Sequence, residues 1–454
     1  MTPPHCKDSA PRILRAGAAS ASFPITAGAP MAGYMARTSV STATLDPLTV
    51  SAIVLTDGDV SCALVAADLL GIDSALVADL TARLDWTPTL LVVCASHTHS
   101  GPGGLASEPR SADAEPRDAA LRQRFIAIGG DVIPRARAEL APVTLHLGRA
   151  TVRDVAANRN DPTRPVDTTV TTITMRQADT RLTALLVHFA CHPTILGAGN
   201  TLLSADLFGA VRRHLVVGGK LETATPILCL NGAAADISTR FTRRGQDATE
   251  VDRLGKRVAD AAIEAMGSAE TISSSLRTEA ASLQLRTQPV DLKQRTGASA
   301  APEDEIAASL TTSMSHAERR IAVTRREGAA LAARRGEWGP ASIDLSLNAI
   351  TIGQLALLTF PGELGSTLAR QIEAVSPFET TLVLGYANGY AGYVVEAADF
   401  SVPTYESLAS PFAPTAGDEV VRASRKLLHR AHHTDARSRV SRQESGTATS
   451  RGQS

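Results

Sequence analysis

The residues best placed by type and spacing to do chemistry lie in the stretch 91–104, LVVCASHTHSGPGG. Leu91, Val92 and Val93 predict a buried strand, and Gly101, Pro102, Gly103 and Gly104 predict the loop that follows it. His97 and His99 stand two positions apart in that loop. On extended backbone, side chains at i and i+2 share a face, so both imidazoles can address one small volume. Neutral imidazole is a common zinc ligand, and glycines let the backbone close around an ion or substrate. A bare HxH pair is weak evidence by itself, and a hydrogen-bonded loop is its more frequent explanation.

Four other apolar runs share the same arrangement, in which β-formers give way to small residues and then to a polar group. ALLVHFAC leads to His192, ILCLNGAAA to Asp236 and Ser238, ALLTFPG to Glu363, and TLVLGYANG to Tyr390 and Tyr393. Ligands of α/β folds bind beyond the carboxyl ends of strands, so these loops are expected to meet at one rim. Each member also has a plain reading. His192 precedes Pro193 and fits a hydrogen-bonded loop; Glu363 fits a helix N-terminal carboxylate; Tyr390 and Tyr393 fit packing positions. Asp236 and Ser238 fit a turn or helix cap, and without a GxSxG elbow Ser238 is a poor triad nucleophile.

The elements that must position these groups read as an α/β chain with a mixed β-sheet core and flanking helices. Strands are predicted at 48–55 and 62–66, joined through Asp57-Gly58-Asp59 as a hairpin, and at 89–94, 143–147, 152–156, 168–175, 182–189, 226–230, 279–285, 355–360 and 380–384. Helices are predicted at 74–84, at 118–140 with a break near Gly129-Gly130 and Pro134, and at 204–217, 251–266, 364–372 and 418–429. The run 14–39 is rich in Gly, Ala and Ser without strong periodicity and reads as packed loop. Residues 1–12 read as a flexible start, 13–432 as one catalytic domain, 287–338 as an Ala/Arg/Glu-rich, mostly solvated helical insertion, and 433–454 as a disordered tail.

The totals exclude several functions. The 454 residues carry 45 basic and 46 acidic side chains, a formal charge of −1, which gives no overall field for nucleic acid or an anionic membrane. The five cysteines, Cys6, Cys62, Cys94, Cys191 and Cys229, lack a disulfide spacing and point to a reducing compartment. No apolar run has the length of a membrane span, and the N-terminus has no signal-like h-region. A cytoplasmic protein acting on a small molecule is expected, with a homo-oligomer left open.

Taken together, ASHTHSGPGG (95–104), ANRNDP (157–162), FACHPT (189–194), ADIS (235–238), FPGE (360–363), NGYAGY (388–393) and TYE (404–406) resemble, in order, the catalytic domain of the neutral/alkaline non-lysosomal ceramidase family. The resemblance runs from about Arg15 to about Val421. It implies a Zn²⁺ held by His97, His192, Glu363 and Tyr393, with His99, Arg159 and Tyr405 lining the substrate amide. It also places Ser238 where the family has a once-proposed nucleophilic serine. The chain departs from the family at Ala235, where a glycine is usual, at Thr239, where a proline is usual, and at Leu45, where a histidine is usual. It also lacks the family's C-terminal immunoglobulin-like domain. With aromatic residues at only 4%, a smaller substrate than a long-chain lipid is expected.

Metal-assisted hydrolysis of an N-acyl amide is the expected reaction, and Asp236 is the carboxylate expected to orient a ligand histidine. Opening of a lactone or ester, or acyl transfer, would use the same activated carbonyl. A binding protein on an inactive enzyme fold, with the Ala/Arg/Glu-rich helix as its contact surface, is the alternative from another class.

Overall fold

The computed structural model describes residues 13–106, 118–272, 275–287, 315–334 and 342–449. Its three principal sheets share one plan. The first orders Leu90–Ala95, Ser61–Ala67, Thr49–Thr56, Arg15–Ser22 and Ala141–Pro142; the second orders Ile227–Asn231, Leu182–Phe189, Thr169–Arg176, Thr144–Thr151 and Glu270–Ile272. The third orders Leu276–Arg286, Ser342–Ile352, Leu355–Thr359 and Thr380–Leu384. Each sheet is antiparallel except for one parallel pair at an edge: 61–67 with 90–95, 182–189 with 227–231, and 355–359 with 380–384. Parallel neighbours end at the same edge of a sheet, so within each pair the loops that follow leave side by side.

The inner faces of the three sheets meet in one core, in which Val92 and Cys94 of the first pack with Leu186, Leu228 and Leu230 of the second and Ile350, Leu357 and Leu384 of the third. Helices close the outer faces. Ser74–Arg83 and Ala119–Ala138 cover the first sheet, Asp206–Gly218 and Ala248–Gly267 the second, and Ser366–Ala374 with Ala416–Thr449 the third. Strands buried on both faces read as unbroken apolar runs, which is why LLVVCA, ILCLN and LALLT are legible.

Four expectations are corrected. The Gly/Ala/Ser-rich stretch contains the strand Arg15–Ser22 rather than loop alone. Its residues are small because the helix Ala119–Ala138 lies directly on it, so that a Cβ at Gly17 would run into the carbonyl of Ala136. Gly17→Val is therefore expected to destabilise the fold by about 3 kcal/mol, read as a lowered urea midpoint. That helix is itself unbroken, although Pro134 lies inside it. Gly129 and Gly130 do not interrupt it but admit Leu80 and Arg83 of the neighbouring helix, and Val132, Ile133 and Ala136 anchor its last turns in the core. Residues 152–156 form no strand; Asp154, at φ +55°, turns the chain, and Ala157–Asn158 pairs instead with Ile237–Ser238. The last helix spans Ala416–Thr449 and so enters the stretch read as a disordered tail. That stretch is polar but holds no proline to interrupt a helical ladder.

Of the insertion, 288–314 and 335–341 lie outside the described residues, as do 1–12 and 450–454. Its helix His316–Arg334 is not a detached solvated face: Thr324 and Gly328 are buried, and Gly328 lies against Tyr405 and Leu408. Among the described residues no helix is long and apolar enough to cross a membrane.

Candidate active site

The loops leaving the parallel pairs meet, as the rim expectation required. His97 follows strand Leu90–Ala95, His192 follows Leu182–Phe189, and Glu363 follows Leu355–Thr359. Glu363 Oε2 lies 3.0 Å from His192 Nε2 and 3.4 Å from His97 Nε2, and all three side chains are 1% exposed or less. Neither Oε2 nor His192 Nε2 makes a hydrogen bond. Buried polar atoms in native proteins are almost always satisfied, so facing atoms without a bond between them point to a missing shared partner. Two imidazole nitrogens and a carboxylate oxygen converging on one point are the donors a first-row cation takes. His99 joins them, its Nε2 lying 3.2 Å from His97 Nε2, and His97, His99 and His192 form a buried cluster able to hold a metal.

The far side of each histidine ring is tied to backbone. His97 Nδ1 lies 2.7 Å from the Leu70 carbonyl and His192 Nδ1 2.6 Å from that of Ala234, contacts in which Nδ1 donates and Nε2 is left to face the site. Asn231 stitches the two histidine loops together, donating from Nδ2 to the carbonyls of Ser96 and Cys191. The loop after Thr380–Leu384 lays Tyr386 flat on His97, with ring centroids 4.0 Å apart and planes at 17°. Asn388 clamps that loop to the first sheet, donating to the Leu91 carbonyl and accepting from Val93 N at 2.7 Å each. Tyr390 donates to Glu363 Oε1 at 2.6 Å, which fixes the carboxylate and leaves Oε2 for the site.

Arg159, Tyr393, Tyr405 and Glu406 adjoin the cluster. Arg159 donates from Nε to Glu406 Oε1 at 2.5 Å and from Nη2 to the Tyr393 hydroxyl at 3.2 Å. Its guanidinium lies over the rings of both Tyr393 and Tyr405, whose centroids are 5.7 Å apart. Tyr393 pairs in register with Glu363, so two sequence-distant positions become backbone neighbours. Burial first, then Glu363, raises the Tyr393 phenol well above its usual range. Burial first, then His97 and His192, pushes the His99 imidazole well below its usual range, leaving it neutral. His192 falls to about 4 through burial and the Arg159 charge. Burial works to raise the Glu363 carboxyl, but His97 and His192 outweigh it and hold it well below the usual carboxylate range.

Room for His99 is made by Gly33, at φ +101°, where a Cβ would sit 2.5 Å from His99 Nδ1. Gly33→Ala should displace the imidazole, and on the reaction proposed below this is expected to cost about a hundredfold in kcat/KM, the scale of a misplacement of about an ångström. Steady-state kinetics on the folded variant would read it.

Asp236 departs from its expected role. Its carboxylate does not reach a histidine but accepts from Ser366 N at 2.7 Å and from Ser366 Oγ and Asn158 Nδ2 at 2.8 Å each, while its own carbonyl accepts from Arg159 N. It ties the helix after Glu363 to the strand before Arg159, and so positions both without touching either side chain. The ligand histidines are oriented by backbone carbonyls instead. Ser238 is buried, its Oγ accepting from Arg240 N at 3.2 Å, and its strand bridges to His192. Sequence reasoning missed Tyr386, Asn231, Asn388 and Glu406. Glu406 stands in the quoted TYE motif, and Asn388 in NGYAGY, but neither spacing nor residue type marks them out.

Residues 24–216 match the sequence profile described as neutral/alkaline non-lysosomal ceramidase, N-terminal. Among solved structures, a ceramidase complexed with C2 is similar to this chain with a TM-score of 0.73 at 18% identity, over 92% of this chain and 75% of that one. Neutral ceramidase from Pseudomonas aeruginosa gives a TM-score of 0.72 at 19% identity, over 92% and 74%. No curated protein sequence matches.

Proposed function

We propose, from the premise that this chain has the neutral ceramidase fold, that it is a zinc-dependent amidohydrolase cleaving the amide bond of an N-acyl substrate smaller than a long-chain lipid. The observation that carries this reading is the pair of unbonded buried atoms, His192 Nε2 and Glu363 Oε2, 3.0 Å apart beside His97. His97, His192, Glu363 and Tyr393 would hold the ion. A cation there supplies an activated water and polarises the amide carbonyl.

The chain's own residues do the rest. Tyr390 and the two backbone carbonyls hold the ligands in place, so little reorganisation accompanies reaction. Arg159, fixed by Glu406, directs positive charge at the site where negative charge develops on the amide oxygen, and Tyr405 beside it offers a hydroxyl donor. Neutral His99 is suited to carry a proton to the leaving amine. Tyr386 and the buried loop around it exclude water from one side of His97. Cys62, Cys94, Cys191 and Cys229 are free and buried, which supports a reducing, cytoplasmic setting.

Turnover of N-acyl compounds in ¹⁸O-labelled water tests the reaction. Label in the released acid is the expected result. Product without label would mean transfer to a second amine, and cleavage of esters or lactones but not amides would move the activity to those bonds.

A further inference from the structure

Arg240 and Arg243 follow Ser238 on the turn that enters the site wall, and both are half-buried. Arg240 Nη1 donates to the Arg159 carbonyl at 3.2 Å. Arg243 Nη1 donates to the carbonyl of Thr194, two residues beyond His192. Both stems are thereby tied to loops that carry site residues. Neither guanidinium makes an ion pair with a carboxylate among the described residues, and Arg243 Nε is buried without any hydrogen-bond partner. Carboxylates and phosphates are the partners that best match a guanidinium's paired N–H donors, and the buried Arg243 Nε has none.

The surroundings do not supply one. Two buried carboxylates attract these arginines, and both are already engaged: Glu406, which acts on Arg240, by Arg159 and Asn160, and Asp206, which acts on Arg243, by the backbone N–H groups of Ile195, Leu196 and Leu207. The helix His316–Arg334 brings Arg320, which adds repulsion at Arg243, and Glu327, which attracts Arg240 without reaching ion-pair distance. Burial pushes Arg240 down to about 10, with Arg159 adding to the fall. Burial likewise lowers Arg243. Tyr34, whose ring lies 4.9 Å from that of His99, feels Asp206 first and, against it, the charges of Arg243, Arg37 and Arg240. Arg37 is itself spent on the carbonyls of Ala32 and His99 and on the Tyr34 ring. Arg243 thus lies beside Tyr34, which shares the Thr194 carbonyl with it, on the His99 side of the cluster, and Arg240 lies beside Arg159.

We propose that Arg240 and Arg243 bind an anionic group carried by the substrate close to its scissile amide, so that the enzyme prefers N-acylated acids to neutral N-acyl amides. This rests on the amidohydrolase reading for the reaction and on the two unpaired guanidiniums for the charge. A carboxylate and a phosphate share the needed chemistry, since both accept paired N–H donors from arginine.

The test uses the metal-loaded full chain and three compounds of one acyl length: N-octanoylglycine, N-octanoyl-O-phosphoethanolamine and the neutral N-octanoylethanolamine. The expected result is a kcat/KM at least about tenfold higher for one of the anions than for the neutral compound, falling to near parity in Arg240→Gln and Arg243→Gln. A glycine preference identifies a carboxylate, and a phosphoethanolamine preference a phosphate. Equal or faster turnover of the neutral compound by wild type overturns the proposal while leaving the amidase reading intact. Should none be hydrolysed, the amidase reading fails, and equilibrium dialysis of the same three compounds decides the charge question. Tighter binding of an anion, lost in the variants, supports the arginine site; equal binding of all three to wild type overturns it. Because the three compounds are compared on wild type, the test stays decisive even where a variant misfolds.

Discussion

Glu363→Ala is expected to abolish turnover, lowering kcat/KM by about a thousandfold or more, the equivalent of the several kcal/mol that a Lewis acid contributes. The carboxylate is the link between the two ring nitrogens that face the site, at 3.0 Å from His192 and 3.4 Å from His97. Without it the imidazoles remain oriented by Leu70 and Ala234, but the anionic donor is gone. Metal content measured on the purified variant should fall with activity. Tyr390→Phe gives the internal scale, because it removes the hydrogen bond to Oε1 and keeps the ring. Loss of such an orienting contact costs about 10- to 100-fold in metal affinity or activity, so the tyrosine variant should stand between wild type and Glu363→Ala.

Arg159→Met should act on both stability and rate. Arg159 and Glu406 are buried together, and removing the cation strands a carboxylate left to Asn160 and its own backbone N–H. Breaking a buried pair from one side costs about 3–5 kcal/mol, which a denaturant titration would detect as a lowered midpoint. On the proposed reaction the rate should fall by about 10²–10³, the cost of losing a preorganised donor to the developing oxyanion. Adding Glu406→Gln separates the two effects. The double variant leaves no stranded charge and should recover much of the stability, whereas the rate should stay low. Recovery of both together would place Arg159 in a purely structural role.

Much of this arrangement is legible in the chain because the strands that deliver it are buried on both faces. LLVVCA and LALLT are near-continuous apolar runs and LTALLVHF and TTLVL carry apolar centres, and each gives way to a small or polar loop. His97, His192 and Glu363 stand at those ends, and the sheets bring them together. The strand Arg15–Ser22 is hidden for the opposite reason, since contact with a helix demands small side chains and so erases the alternation that marks a strand. Ser342–Ile352 also escapes a reading of the sequence, although it pairs along its length with Leu276–Arg286.

The site residues that escape detection act through contacts no local pattern encodes. Tyr386 stacks on a histidine nearly three hundred positions earlier in the chain, and Asn388 bonds to the backbone of Leu91 and Val93. Carboxylates often orient metal-bound imidazoles, which is why Asp236 is expected beside a histidine. In this fold the Ala234 carbonyl already occupies that place, and Asp236 instead joins Ser366 to Asn158.

The most direct test is a crystal of the protein purified without chelator, with anomalous data collected on both sides of the zinc absorption edge. The account predicts a single strong zinc peak within about 2.0–2.2 Å of His97 Nε2, His192 Nε2 and a Glu363 oxygen, with the Tyr393 hydroxyl as the fourth protein donor. No metal at the cluster, or a metal held by His97, His99 and His192 with Glu363 turned away, would contradict it.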